Sequence, residues 1–182
     1  SNAVWENFKE NQMWWYPLKK FGDLCVNAKV GRCVNADNPN IRDSNALKTI
    51  RKDVKDKFDV AFIMLGTNDM RSTFNKSAEN IVRDLNLLIS NMKYCAKNFV
   101  IIAPPKIIEN TPITKKYYKG AGDKSKNLNN LLYKYAKQMK FGFISAFGCE
   151  VGCDGEHLTE KGQAQLAKMV NEYALLYLCD KN

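Results

Sequence analysis

The sequence predicts an α/β fold, a three-layer sandwich in which a mostly parallel sheet is covered by helices on both faces. Two observations carry that expectation. Asp59-Val60-Ala61-Phe62-Ile63-Met64-Leu65 and Asn98-Phe99-Val100-Ile101-Ile102-Ala103 are apolar runs of strand length bounded by turn residues, the pattern of strands buried on both faces. The segments between and after them carry helical periodicity, and strands that alternate with helices pair in parallel through crossovers.

Taken in order, a short apolar stretch at Leu24-Cys25-Val26 reads as a first strand, and a helix precedes Asp59. The strand from Asp59 stops at Gly66-Thr67-Asn68-Asp69, a glycine-led polar cluster. Ser77 is a good N-cap with Glu79 in the first turn, and Ile81, Leu85, Leu88 and Met92 recur on one face of the helix that follows. The strand from Asn98 ends at Pro104-Pro105. Lys106 to Ser125, with Pro112, Gly120, Gly122 and several lysines, reads as a loop near the mouth of a site, before a helix around Leu128–Met139. Phe141-Gly142-Phe143-Ile144 is the last strand. Thr159 opens the final helix, whose Leu166, Met169, Val170, Tyr173 and Tyr177 fall at core spacing.

Length and composition agree with one compact domain over residues 4–182. At 182 residues and 45% hydrophobic content the chain can bury a substantial core. No apolar run approaches the ~20 residues of a membrane-spanning helix. The net charge of +9 comes from lysines spread over Lys48–Lys57, Lys115–Lys126 and Lys134–Lys140, mixed with acids or on helix faces. A solvated surface is the simpler reading than a nucleic-acid partner, and affinity for an acidic polysaccharide or anionic surface stays open. Six cysteines scattered in a chain of this size are expected as free thiols, which slightly favours the cytoplasm. With one histidine and no C-x-x-C, no zinc site is expected.

That histidine, His157, sits in Cys153-Asp154-Gly155-Glu156-His157-Leu158-Thr159. A carboxylate on one ring nitrogen fixes the tautomer and leaves the other nitrogen free to move a proton, and Asp154 is close enough to do so within one tight turn. The plain alternative is an ordinary Asp-Gly turn beside a solvated histidine. The second cluster, Gly66 to Asp69, lies beyond the carboxyl end of a buried strand, where open α/β sheets bind ligands. Asn68 could donate its amide to a developing oxyanion, and the alternative there is a plain strand-to-helix turn.

These residues resemble the blocks of the SGNH (GDSL-type) hydrolases. Gly66-Thr67-Asn68-Asp69 matches G-x-N-D, and Asp154 to His157 matches D-x-x-H. Asn27-Ala28-Lys29-Val30-Gly31-Arg32-Cys33 is similar to the segment ending in G-R-[ST], with cysteine in place of the hydroxyl residue. The run from Gly31 through Asp37, Pro39 and Asn45-Ala46-Leu47 to Asp69, then Phe74 and Ala103-Pro104-Pro105, resembles most the arylesterase and acyltransferase branch. The resemblance implies a flavodoxin-like sheet and an ester hydrolase acting on a small acyl or aryl ester or an O-acetylated carbohydrate, with no metal or organic cofactor. It gives His157 the role of base, Asp154 that of its orienter, and Gly31 N–H and Asn68 the oxyanion hole. Asp69 is expected to be structural and Glu156 to face solvent, both outside the catalytic set.

The family's first block, a strand ending in G-D-S whose serine is the nucleophile, is absent. Ser1-Asn2-Ala3 resembles the remnant of a cleaved expression tag, while spacing alone permits Ser1 as the nucleophile. Ser44, Ser72, Ser77, Ser90, Ser125 and Ser145 fall in expected loops, caps or helices, and none follows a strand in a glycine-led elbow. Without the first strand, the one near Leu24-Cys25-Val26 loses its neighbour. Either a partner chain fills the gap or the first ordered residues rearrange over the edge, and an exposed edge also permits a dimer. The rival to an ester hydrolase is a relative without the nucleophile that binds carbohydrate or a partner.

Overall fold

The computed structural model describes residues 8–178. Among them β1 (Phe58–Ile63), β2 (Ala96–Ala103) and β3 (Gly142–Ser145) form a parallel sheet in the order β1-β2-β3. Phe62 lies beside Val100 and Ile102 beside Ile144. α1 (Ala46–Asp53) precedes the sheet, and α2 (Ala78–Met92) carries the chain from β1 to β2. α3 (Pro112–Tyr117) and α4 (Ala121–Met139) join β2 to β3, and α5 (Glu160–Leu178) closes the chain. No described helix is long and apolar enough to cross a membrane.

Side-chain hydroxyls and amides start the helices. Asn45 accepts from the Lys48 N–H, Ser77 from the Asn80 N–H, Thr111 from the Thr114 N–H and Thr159 from the Gly162 N–H, each satisfying a donor that the first helical turn leaves unpaired. The two cores then follow from strand alternation. Phe99, Ile101 and Ala103 of β2 point to a core built with α1, α2 and α4, while Val100 and Ile102 point to a second core with α5 and the N-terminal residues Met13, Trp15 and Leu18. From Phe99 to Ala103 β2 is buried on both sides because it is the middle strand, and the unbroken apolar run over those residues is the consequence.

Four sequence expectations change. Leu24-Cys25-Val26 is not a strand: no described neighbour offers it a ladder, and Cys25 and Val26 lie exposed. The first described residues do not pair with the sheet either. They form short 3-10 turns at Glu10–Gln12 and Tyr16–Phe21 and pack against α5. Lys106 to Ser125 is not a simple loop, because Pro112 occupies the first turn of α3 and Gly120 sits at φ +74° as the N-cap of α4, which starts at Ala121. Pro at a helix start and glycine at a left-handed junction are both structural signals, not breakers. Tyr177 is exposed instead of buried, because the end of α5 runs past the second core.

Two glycines separate packing from simple composition. A Cβ on Gly162, in the first turn of α5, would stand 2.1 Å from the Glu150 carbonyl oxygen, whereas one on Gly148 would meet nothing within 4 Å. Gly162→Ala should therefore cost about 2 kcal/mol or more through forced backbone movement. Gly148→Ala should stay within about 0.5 kcal/mol of the parent. Urea unfolding followed by tryptophan fluorescence reads both values.

Candidate active site

The loop between β3 and α5 is built around one carboxylate. Asp154 Oδ1 accepts the backbone N–H of Glu156 at 3.0 Å and of His157 at 3.1 Å, closing an Asx-type turn. Its other oxygen, Oδ2, lies 2.6 Å from His157 Nδ1. With Nδ1 donating to Asp154, the neutral imidazole presents Nε2 as its basic nitrogen. Partial burial works against ionisation of Asp154, but the two amides and the imidazole outweigh it and hold the carboxyl below its ordinary range.

Two contacts pin this loop from outside. Thr111 Oγ1 donates to the Asp154 carbonyl at 2.7 Å, and the Ile108 N–H donates to the Gly155 carbonyl at 2.9 Å. Gly155 has φ +83°, and a Cβ there would meet the Ile108 carbonyl oxygen at 2.5 Å, so the Asp-Gly pair is required by both turn and packing. The segment ahead of α3 thus braces the histidine loop, which the lysine-rich sequence alone does not announce.

At the carboxyl end of β1 the second cluster forms. Asp69 is wholly buried and accepts the Val34 N–H at 2.8 Å and the Asn35 N–H at 3.4 Å, with Lys76 Nζ 3.3 Å away. Burial pushes its carboxyl up against the opposing pull of those partners. Asp69 therefore ties the loop after Gly31 to the end of β1. Beside it Asn68 Nδ2 donates to the Arg32 carbonyl at 3.2 Å. An amide nitrogen has two hydrogens, so this bond sets the orientation of Asn68 and leaves the second N–H for another acceptor. Gly31 sits at φ +61°, a left-handed conformation that favours glycine, and a Cβ there would push the tip of Ile41, whose Cδ1 would lie 2.3 Å away.

His157, Asn68 and Arg32 line one cavity of about 760 Å³; Gly31 is buried and is not among its lining residues. Arg32 is held by Asn27, Thr49 and Asp53, each at 2.7 Å. The six serines named from the sequence have their hydroxyls in other contacts. Ser44 and Ser77 accept backbone N–H groups, Ser72, Ser90 and Ser125 donate to backbone carbonyls, and Ser145 lies 2.6 Å from Asn129 Oδ1. Ser1 lies outside the described residues. Cys33, in the hydroxyl position of its block, is buried, and burial, followed by the nearby Asp69, pushes its thiol up to about 12. A thiol so held is a packing group and not a nucleophile. The five described cysteines are all free.

Glu156 corrects an expectation. It is 7% exposed instead of solvent-facing, and its Oε1 lies 3.7 Å from His157 Nδ1. Burial and then the Glu156 charge raise the fully buried Tyr118 hydroxyl, which accepts from Arg71 Nε at 3.2 Å. The half-buried Arg71 and the buried Tyr118 and Glu156 thus form a polar group next to the histidine. Sequence reasoning missed it because Arg71, Tyr118 and Glu156 lie in three separate segments.

The family description GDSL-like Lipase/Acylhydrolase matches residues 19–170. Est24, a carbohydrate acetylesterase from Sinorhizobium meliloti, superposes with a TM-score of 0.80 at 24% identity, covering 93% of this chain and 87% of its own. The aryl esterase of M. smegmatis does so with a TM-score of 0.81 at 22% identity, with the same 93% and 87% coverage. A carbohydrate acetylesterase family member from Sinorhizobium meliloti reaches 0.83 at 18% identity over 93% of this chain and 88% of that one. At these identities the likeness is one of fold. No curated protein matches the chain.

The electrostatics of Asp154 give a signed expectation. A carboxyl lowered in the folded state adds stability above its unfolded value near ~3.9, and that stability is lost as pH falls through the folded value. The stability difference between the parent and Asp154→Ala should thus be constant above about pH 5 and shrink at more acidic pH. Urea unfolding at several pH values measures it, and a gap that widens on acidification would contradict the assignment.

Proposed function

The chain belongs to the GDSL-like lipase/acylhydrolase family, and from that premise we propose that it is a serine-type ester hydrolase for small acyl or aryl esters or O-acetylated carbohydrates. The observation that carries the reading is the 2.6 Å contact of Asp154 with His157 Nδ1, in a cavity that Asn68 also lines. The names of the superposing structures, a carbohydrate acetylesterase and an aryl esterase, support the substrate range.

In this mechanism a serine hydroxyl gives its proton to His157 Nε2 as its oxygen bonds to the ester carbonyl carbon, and the carbonyl π pair moves onto oxygen. Gly31 N–H and the second N–H of Asn68 hold that oxyanion. The intermediate then collapses, the carbon–oxygen bond to the alcohol breaks, and His157 returns the proton to the departing oxygen. Water, deprotonated by the same nitrogen, releases the acyl group and restores the serine. Asp154 stays ionised and holds the imidazolium as it forms. Asp69 serves by fixing the loop, not by touching substrate. The nucleophile is the serine of a G-D-S block or, by spacing alone, Ser1.

Hydrolysis of p-nitrophenyl acetate tests the reading. His157→Ala should reduce kcat/KM by about 10³-fold or more, and Asn68→Ala by about 10²–10³-fold, mostly in kcat, as for an oxyanion donor. Turnover indifferent to His157→Ala would remove the mechanism. No turnover even with a G-D-S strand added upstream would favour the carbohydrate- or partner-binding alternative.

A further inference from the structure

Glu156 is the least exposed of the three acid and base side chains in the histidine loop, at 7% against 20% for His157 and 26% for Asp154. Its backbone is fixed, because its N–H and that of His157 both go to Asp154 Oδ1. A carboxylate taken out of water must find donors or a cation within the protein. Among the described residues the one basic nitrogen within ion-pair reach of it is His157 Nδ1, at 3.7 Å. That distance is too long for a hydrogen bond, and the Nδ1 hydrogen already goes to Asp154 at 2.6 Å. What Glu156 offers the ring is charge.

Two other segments hold that charge in place. Tyr118, wholly buried just after α3, accepts from Arg71 Nε at 3.2 Å and bonds Glu156 with its own hydroxyl hydrogen. The Arg71 guanidinium lies 5.4 and 5.6 Å from the centres of the Tyr117 and Tyr118 rings, and the Arg71 N–H donates to the Asn68 carbonyl at 3.2 Å. One run of contacts therefore reaches from the turn that carries Asn68 to the ring of His157. Other charges around the loop are engaged elsewhere. Lys161 pairs with Glu150 at 3.0 Å, Glu160 accepts from Gln12, Glu109 accepts the Gly122 N–H, and Arg32, across the cavity, pairs with Asp53 at 2.7 Å. Facing the imidazole are Asp154 and Glu156 from its own loop and, through Tyr118, Arg71.

We propose that Glu156 is a second carboxylate for His157, a positioning residue that stabilises the imidazolium by its charge while Asp154 keeps the Nδ1 hydrogen. Tyr118 touches both Glu156 and Arg71, so the carboxylate is held without a direct ion pair that would cancel its field. Being buried, that field is weakly screened by water and salt. A proton taken up by the ring therefore supplies the counter-charge that Glu156 otherwise lacks at close range. The role in catalysis rests on the ester-hydrolase reading, in which the imidazolium forms as the serine gives up its proton; the electrostatic pairing does not.

His157 is the only histidine in the chain, so an imidazole signal in the NMR spectrum reads one group. When the parent protein is titrated, the side-chain carboxyl carbon of Glu156 should show a step at the same pH as the imidazole. In Glu156→Gln, which keeps the shape and removes the charge, the imidazole midpoint should fall by about 0.5–1 pH unit. Nδ1 should meanwhile keep the nitrogen shift of a protonated atom bonded to Asp154. No step in the parent, or an unmoved midpoint in a folded Glu156→Gln, would overturn the proposal. A fall in the midpoint together with loss of the Nδ1 signature would also overturn it, because the effect would then come from a displaced ring. The parent measurement decides the matter by itself where the variant does not fold. Neither measurement needs turnover, so hydrolysis of p-nitrophenyl acetate separates the two ideas. A step and a shift without His157-dependent turnover keep the pairing and remove the esterase; turnover with neither step nor shift does the reverse.

Discussion

Asp69 is wholly buried at the carboxyl end of β1, and its two oxygens hold the amides of Val34 and Asn35. A buried carboxylate without partners would be strongly unfavourable, so the loop that supplies those amides has little freedom to move away. Lys76 completes the arrangement by bridging Asp69 and Asp84, at 3.3 and 2.7 Å, and by donating to the Asn35 carbonyl at 2.7 Å. The position of the Gly31–Arg32 loop, and through it the orientation of Asn68, depends on this one group. On the far side of the cavity Asp154 does a comparable job with fewer residues, turning its own loop with one oxygen and steadying His157 with the other. Two carboxylates thus position the candidate machinery by accepting backbone N–H groups, and neither has to change its protonation for the chemistry to proceed.

The sheet gives these loops a common platform. Parallel strands end together, so the clusters after β1 and β3 meet on one side of the molecule although nearly ninety residues separate them in sequence. The bracing contacts from Thr111 and Ile108 add a third segment, the one between β2 and α4. Loops from three segments on one platform thus assemble the cavity and its bracing contacts.

Much of this was legible in advance because it depends on local chemistry. Ser77 and Thr159 cap the helices they were expected to cap, and the two apolar runs are strands within a residue or two of their expected limits. Pro112 and Gly120 misled because each residue type marks both breaks and starts of helices, and only the neighbouring packing decides between them. Leu24-Cys25-Val26 misled for a different reason: strand propensity needs a partner ladder, and none is present among the described residues.

By itself the sequence determined the α/β alternation, the two polar clusters and the pairing of Asp154 with His157, since each rests on residues within a few positions of one another. Tertiary structure decided everything that joins distant segments. It buried Glu156 beside the histidine, with Tyr118 and Arg71 behind it, where a solvent-facing residue was expected. It buried the Cys33 thiol completely and held the buried Arg32 cation against Asp53. The physical reason is common to all of these: burial and dielectric environment are properties of the packed chain, and no stretch of sequence carries them until its neighbours are in place.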